Sequence, residues 1–167
     1  MRYAQAMCRK LLAVAALLIL SASEALSQKT NTPVKVVFVC EHGAAKSIIA
    51  AAEFERLANQ KSLAVEVVSR GTNPDAEIAA GVRKNLLADG IDLGSARPVK
   101  VSAKDLAAAT KVVSFGPNLT EWLPKGAKAT DWSATPSPSE NYQAARGYIV
   151  KQVEALVAEL QAAKVPR

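Results

Sequence analysis

Histidine occurs once in this 167-residue chain, cysteine twice, methionine twice, and aromatic residues make up only 5%. One histidine and scattered acids give no metal-ligand spacing, so no metal centre is expected, and no cofactor is implied. No Ser-His-Asp arrangement can be nominated either, because nothing in the sequence fixes a partner for His42. The chain also lacks any run of Lys or Arg that would mark a nucleic-acid-binding stripe. Long apolar runs are missing as well. Leu11 to Leu20 is ten residues long, about half of what a helix needs to cross roughly 30 Å of bilayer.

That apolar run has a different meaning at the N-terminus. Arg2, Arg9 and Lys10 form a basic region around its start, and Ala25-Leu26-Ser27 places small residues where a signal peptidase reads them. Residues 1–27 are therefore expected to be a signal peptide cleaved before Gln28. Residues 28–167 would form a single exported domain, periplasmic or secreted, with no membrane attachment after cleavage. Losing Arg2, Arg9, Lys10 and Glu24 takes the formal charge from +6 to +4, a balance that favours anionic ligands in general. Both methionines and Cys8 leave with the leader. Cys40 remains as the single cysteine, which excludes an internal disulfide. A lone thiol in an oxidising compartment is either buried and inert or kept for its chemistry.

What the chain does contain is an alternation of strand and helix patterns. Val34 to Val39 is short, β-branched and almost uniformly apolar, the pattern of a buried strand. Further strands are predicted over Leu63 to Ser69, Lys111 to Phe115 and Lys128 to Trp132. Helices are predicted over Ser47 to Gln60, Ala76 to Ala88 with Asp75 as cap, Ala103 to Ala109 with Ser102 as cap, and Asn141 to Ala163. Ile48, Ile49, Ala52 and Leu57 are the candidate buried positions of the first helix. Tyr148, Ile149, Val153, Leu156, Val157 and Leu160 are those of the last. Such alternation implies an α/β fold: a small, doubly wound, three-layer domain with a four-stranded parallel sheet. Ligands of such sheets bind beyond the carboxyl ends of the strands, and the first strand delivers Cys40 to that edge.

The loop after that strand, Cys40-Glu41-His42-Gly43-Ala44-Ala45-Lys46-Ser47, is a candidate oxyanion cradle. A turn between a strand and a helix N-terminus gathers free backbone N–H groups, and the helix dipole adds positive potential. Gly43 permits the positive φ that a tight turn needs. Ala44 and Ala45 leave the amides accessible. Cys40 at the base of the cradle would be favoured as thiolate by the amides, by Lys46 and by the Ser47 hydroxyl, and a thiolate facing a phosphoester is an in-line nucleophile. The plain alternatives are a buried structural thiol for Cys40 and a solvated lysine for Lys46. A cation beside a helix N-terminus is, however, unfavourable unless an anion is present.

Cysteine, five residues, a cation and Ser47 after Val37-Phe38-Val39 resembles the active-site loop of the low-molecular-weight protein tyrosine phosphatases and the related thioredoxin-coupled arsenate reductases. Ser69-Arg70-Gly71-Thr72 resembles that family's Ser-Ala-Gly-Thr turn, and Gly90-Ile91-Asp92-Leu93 its Gly-Ile-Asp segment. The resemblance implies Cys40 as nucleophile, Lys46 as oxyanion clamp, Ser47 as support for the thiolate, and the backbone of Glu41, His42, Gly43, Ala44 and Ala45 as phosphate cradle. It also implies a phosphate-like oxyanion or phosphorylated substrate as partner.

Three departures from the family pattern stand out. Lys46 replaces an arginine, so a mobile point charge stands where a planar fork is usual. The family's Asp-Pro acid is missing. The corresponding segment reads Asp131-Trp132-Ser133-Ala134-Thr135-Pro136-Ser137-Pro138, and Asp131, its nearest carboxylate, is the candidate to substitute as catalytic acid. Glu41 and His42 replace apolar or small residues beside the nucleophile, and His42 is a conceivable proton donor. The expected function is an exported phosphatase acting on a phosphomonoester, phosphotyrosine included. The alternatives are an arsenate reductase, for which the usual multi-cysteine relay is absent, and a catalytically weakened protein that binds an oxyanion or phosphopeptide.

Overall fold

The computed structural model describes residues 33–164. The expected signal peptide, Cys8 and the cleavage position lie outside the described residues.

The strands are β1 (Val34–Cys40), β2 (Val65–Gly71), β3 (Lys111–Ser114) and β4 (Thr130–Asp131). The helices are α1 (Lys46–Gln60), α2 (Ala80–Ala88), α3 (Ala103–Ala107) and α4 (Tyr142–Lys164). All strand pairs are parallel and the order is β2-β1-β3-β4. The chain therefore winds outward from β1 to β2, then crosses back to β3 on the other side of β1. The crevice that such a reversal leaves at the carboxyl end of β1 is where ligands of doubly wound sheets bind, and Cys40 ends that strand.

Alternation along β1 builds two cores. Val36 and Phe38 point to one face, where they meet Ile49, Phe54, Val82, Leu86, Ile149 and Val153. Val37 and Val39 point to the other, where Leu106, Val112 and Leu119 cover them. Both sides are buried, which is why β1 reads as a continuous apolar run. Phe38 is 0% exposed and packs edge-on against Phe54, centroids 5.8 Å apart, and tilted against Trp132 at 5.7 Å. Burying a side chain of this size stabilises the fold by about 2–3 kcal/mol.

The last helix buries Ile149, Val153, Leu156, Val157 and Leu160 as expected, with Tyr142 and Ala145 added and Tyr148 only half-buried. In α1 the expected Ile48 and Ile49 are buried, whereas Ala52 and Leu57 are half-buried. Phe54, Ala58 and the carboxylate of Glu53 complete its inner face. Ser102 caps α3 as expected, in a reciprocal capping box with Asp105. The helix expected from Ala76 starts four residues later, at Ala80, and Asp75 does not cap it. No helix among the described residues is long and apolar enough to cross a membrane.

Candidate active site

Two loops leave the carboxyl edge of the sheet side by side: residues 41–45 after β1 and residues 72–79 after β2. They touch at a pair of glycines. Gly43 has φ of +60°, and a Cβ added to it would stand 2.9 Å from the Gly71 nitrogen. A Cβ on Gly71 would stand 2.7 Å from the Gly43 nitrogen. Neither position tolerates a side chain without moving backbone.

This close approach lets the second loop take up the carbonyls of the first. Thr72 N–H donates to the Cys40 carbonyl at 3.1 Å, Asn73 N–H to Glu41 at 2.8 Å, Asp75 N–H to His42 at 3.0 Å and Ala79 N–H to Ala44 at 3.1 Å. With those carbonyls satisfied, the amides of Glu41, His42, Ala44 and Ala45 have no acceptor among the described residues. Helix α1 follows at once. Its N-cap residue, Ala45, has no side-chain cap bond, and its first turn holds no acidic residue. Unpartnered amides and the positive end of a helix converge here, an arrangement that accepts an oxyanion.

Cys40 lies at the base of this loop and is 7% exposed. Gly43 N–H donates to its Sγ at 3.2 Å, and the Ser47 Oγ lies 3.2 Å from the same sulfur. Ser47 is fully buried, so its hydroxyl is held there by packing. These two contacts fix the sulfur at the base of the loop, below the amides. The sequence-derived set Cys40, Glu41, His42, Gly43, Ala44, Ala45, Lys46 and Ser47 thus forms one continuous loop and helix start.

Lys46 is half-buried and its Nζ donates to the Thr135 carbonyl at 2.7 Å. Thr135 is 3% exposed, and its hydroxyl donates to the Trp132 carbonyl at 2.7 Å. Trp132 in turn packs against Phe38 and Phe115, with ring centroids 5.7 Å apart in both pairs. The segment that receives the lysine is therefore anchored to the core next to β1.

A cavity of about 680 Å³ opens over the loop, lined among others by Cys40, Glu41, His42, Lys46, Asn85 and Tyr142. That volume suits a small ligand or one residue of a larger one. The Tyr142 hydroxyl donates to Asp89 Oδ2 at 2.8 Å. Burial, then the neighbouring Asp89 charge, pushes the pKa of that phenol well above its usual value. His42 is half exposed, and its Nδ1 is 3.1 Å from Asp75 Oδ1.

Asp131 is not brought to this cavity. It is exposed and lines a separate recess with Gly116, Asn118 and Ser133. Its carboxylate accepts from the Ser133 N–H at 2.8 Å and from the Ser133 hydroxyl at 3.0 Å, and these bonds hold its pKa below the ordinary carboxylate value. An ionised carboxylate committed to its own turn has no proton to donate near neutrality.

Tyr142 was not legible as a site residue in the sequence: it lies far along the chain, and no local pattern marks it. Asp75 and Thr135 lie in loops that flank the cysteine loop, but their individual contacts to it were not legible, since Asp75 carries the signature of a helix cap and Thr135 contributes only a carbonyl.

The model of the low molecular weight phosphotyrosine protein phosphatases matches residues 35–165. The chain belongs to this family. Solved structures with the phosphatase-family fold include YfkJ from Bacillus subtilis, at 21% identity and a TM-score of 0.67, covering 80% of this chain and 98% of that one. The YwlE arginine phosphatase from Geobacillus stearothermophilus is 23% identical with a TM-score of 0.64, covering 79% and 96%. A thioredoxin-dependent arsenate reductase from Corynebacterium glutamicum is 25% identical with a TM-score of 0.67, covering 92% of this chain and 73% of the reductase. No curated protein matches the chain in sequence. Among the described residues of this phosphatase-family chain, no group of three or more His, Cys, Asp or Glu side chains is placed to hold a metal ion.

Proposed function

We propose that the chain is an exported, cysteine-dependent hydrolase of phosphomonoesters, with phosphotyrosine within its substrate range. One observation carries this reading: Cys40 Sγ, held by Gly43 N–H and Ser47 Oγ, lies beneath a loop in which the carbonyls of Cys40, Glu41, His42 and Ala44 are tied away and the amides of Glu41, His42, Ala44 and Ala45 are unpartnered among the described residues. The phosphoryl oxygens would take those amides and the Lys46 ammonium. Sγ attacks phosphorus, the bond from phosphorus to the ester oxygen breaks, and a phosphocysteine forms. Water then attacks phosphorus, the P–S bond breaks, and the thiolate and inorganic phosphate are released.

Hydrolysis of p-nitrophenyl phosphate by the wild type and by Cys40→Ser tests this. The reading requires release of p-nitrophenol by the first and none by the second. Equal rates from both would refute it.

Lys46 favours a second reading, capture of an oxyanion without turnover. Its ammonium is bonded to a backbone carbonyl, and the cavity has no carboxylic acid equivalent to the family's Asp-Pro. Phosphate binding by calorimetry, with no turnover of aryl phosphates, would select it. Arsenate reduction is the least supported of the three. Once the leader is removed Cys40 is the sole cysteine, so an oxidised Sγ would need an external thiol. Arsenate-dependent consumption of a small thiol is the measurement that would revive it.

A further inference from the structure

We propose that His42, held by Asp75, is the general acid that protonates the leaving group, a role that rests on the phosphatase reading above. A proton must reach the ester oxygen as its bond to phosphorus breaks, and Asp131 is not placed to supply it.

The titratable side chains lining the cavity are Cys40, Glu41, His42, Lys46 and Tyr142. Cys40 is the nucleophile. Glu41 is 67% exposed, and no hydrogen bond among the described residues orients its carboxylate. Lys46 Nζ is directed to the Thr135 carbonyl at 2.7 Å. Tyr142 donates its proton to Asp89, and burial and that carboxylate make it a poorer acid still. His42 is the remaining side chain, and imidazole is the side chain that most often serves as general acid or base.

The geometry around His42 is that of an oriented acid. Asp75 grips it twice: its N–H donates to the His42 carbonyl at 3.0 Å, and its Oδ1 lies 3.1 Å from the ring Nδ1. The first contact fixes the backbone and the second fixes the ring. With Nδ1–H donated to Asp75, Nε2 is the nitrogen left to exchange a proton with a substrate. The Nε2 side faces Glu41, whose Oε2 is 3.9 Å away. These carboxylates come from two different elements, the cysteine loop and the loop after β2. Asp75 does not cap α2 and serves here as a positioning residue.

The proton account closes in two steps. As Sγ bonds to phosphorus, the ester P–O electron pair goes to the leaving oxygen, which takes the Nε2 proton, and the imidazolium becomes imidazole. In the second step Nε2 takes a proton from the attacking water. The oxygen of that water bonds to phosphorus, and the P–S electron pair returns to Cys40 as thiolate.

The test is leaving-group dependence, read as kcat/KM of the full-length protein on p-nitrophenyl phosphate and on phenyl phosphate. Nitrophenolate departs without protonation, whereas phenolate needs it. His42→Ala should lower kcat/KM for phenyl phosphate by on the order of a hundredfold and for p-nitrophenyl phosphate by only a few-fold. Asp75→Asn should move both in the same sense by less, and added imidazole should partly restore His42→Ala on phenyl phosphate. Far-UV circular dichroism and phosphate binding confirm that each variant folds. If the wild type hydrolyses both esters but His42→Ala lowers both equally, the assignment of His42 is overturned. It is equally overturned if Asp131→Asn, not His42→Ala, shows the selective loss on phenyl phosphate. If the wild type hydrolyses neither ester, the phosphatase reading itself fails, and the role of His42 falls with it.

Discussion

At the scale of single residues, Lys46 is the one cation of the cysteine loop, and its chemistry sets how firmly an oxyanion can be held there. An arginine presents a planar fork to two phosphoryl oxygens, whereas a lysine is a point charge on a flexible stem. Here that charge is bonded to the Thr135 carbonyl, an acceptor it would have to leave or share in order to grip an oxyanion. Loss of one preorganised donor of this kind costs roughly 2–4 kcal/mol of transition-state stabilisation. Lys46→Arg should therefore raise kcat on p-nitrophenyl phosphate by about tenfold or more, with a smaller change in KM. A rate that stays the same or falls would mean that the lysine is adapted to its loop and does not limit turnover.

At the scale of elements, the site is made by one loop buttressing another, and β2 supplies the buttress. Arg70, the penultimate residue of β2, donates through Nη2 to Asp105 Oδ1 at 2.9 Å, and Asp105 also closes the capping box of α3 with Ser102. The Arg70 hydrogen bond, followed by those from Ser102, lowers the Asp105 pKa from 3.8 to about 2. A depressed folded-state pKa means that the stabilisation is complete above the unfolded value and is lost as pH falls from about 4 towards 2. Allowing for solvent screening, about 1 kcal/mol is at stake. Chemical denaturation between pH 5 and 2.5, at roughly half-unit intervals, should show Asp105→Asn losing less stability than the wild type across this window. Parallel curves would remove the Arg70–Asp105 bond from the account.

Local signals made most of these elements legible. The apolar run of β1, the Ser102 cap of α3 and the 3.6-residue pattern of α4 are each written in neighbouring residues. The start of α2 was not legible, because residues 72, 73, 75 and 79 direct their amides to the carbonyls of the cysteine loop, some thirty residues away in the chain. That is a tertiary demand, and it overrides the cap signal of Asp75. The juxtaposition of Cys40, residues 41–45 and Ser47 was legible for the opposite reason: they are contiguous. The placement of Asp131 outside the cavity was not, since it depends on the Ser133 hydrogen bonds that turn its carboxylate back on its own loop.

At the scale of the whole molecule, a buried charge network ties α1 to α4 and reaches the cavity wall. The Glu53 side chain is 1% exposed and bonds to Arg146 Nε at 2.7 Å and to Arg56 Nη2 at 2.6 Å. Arg146 Nε is also 3.2 Å from Asp89 Oδ2, the acceptor that fixes Tyr142. Removing the carboxylate takes from Arg56 its carboxylate partner and leaves Arg146, three-quarters buried, with the longer contact to Asp89 alone. Glu53→Ala should lower the unfolding free energy by about 3–5 kcal/mol in urea, and it should raise KM by loosening Tyr142. A loss under 1 kcal/mol would show the network to be incidental. All of this scaffold converges on Cys40, whose role as nucleophile is the centre of the account. The direct measurement is acid quenching of the wild type during turnover of p-nitrophenyl phosphate, followed by peptide mass spectrometry. The account predicts a phosphoryl adduct on Cys40, absent in Cys40→Ala, which also releases no p-nitrophenol. Steady turnover with Cys40 unmodified, or an undiminished rate in Cys40→Ala, would contradict it.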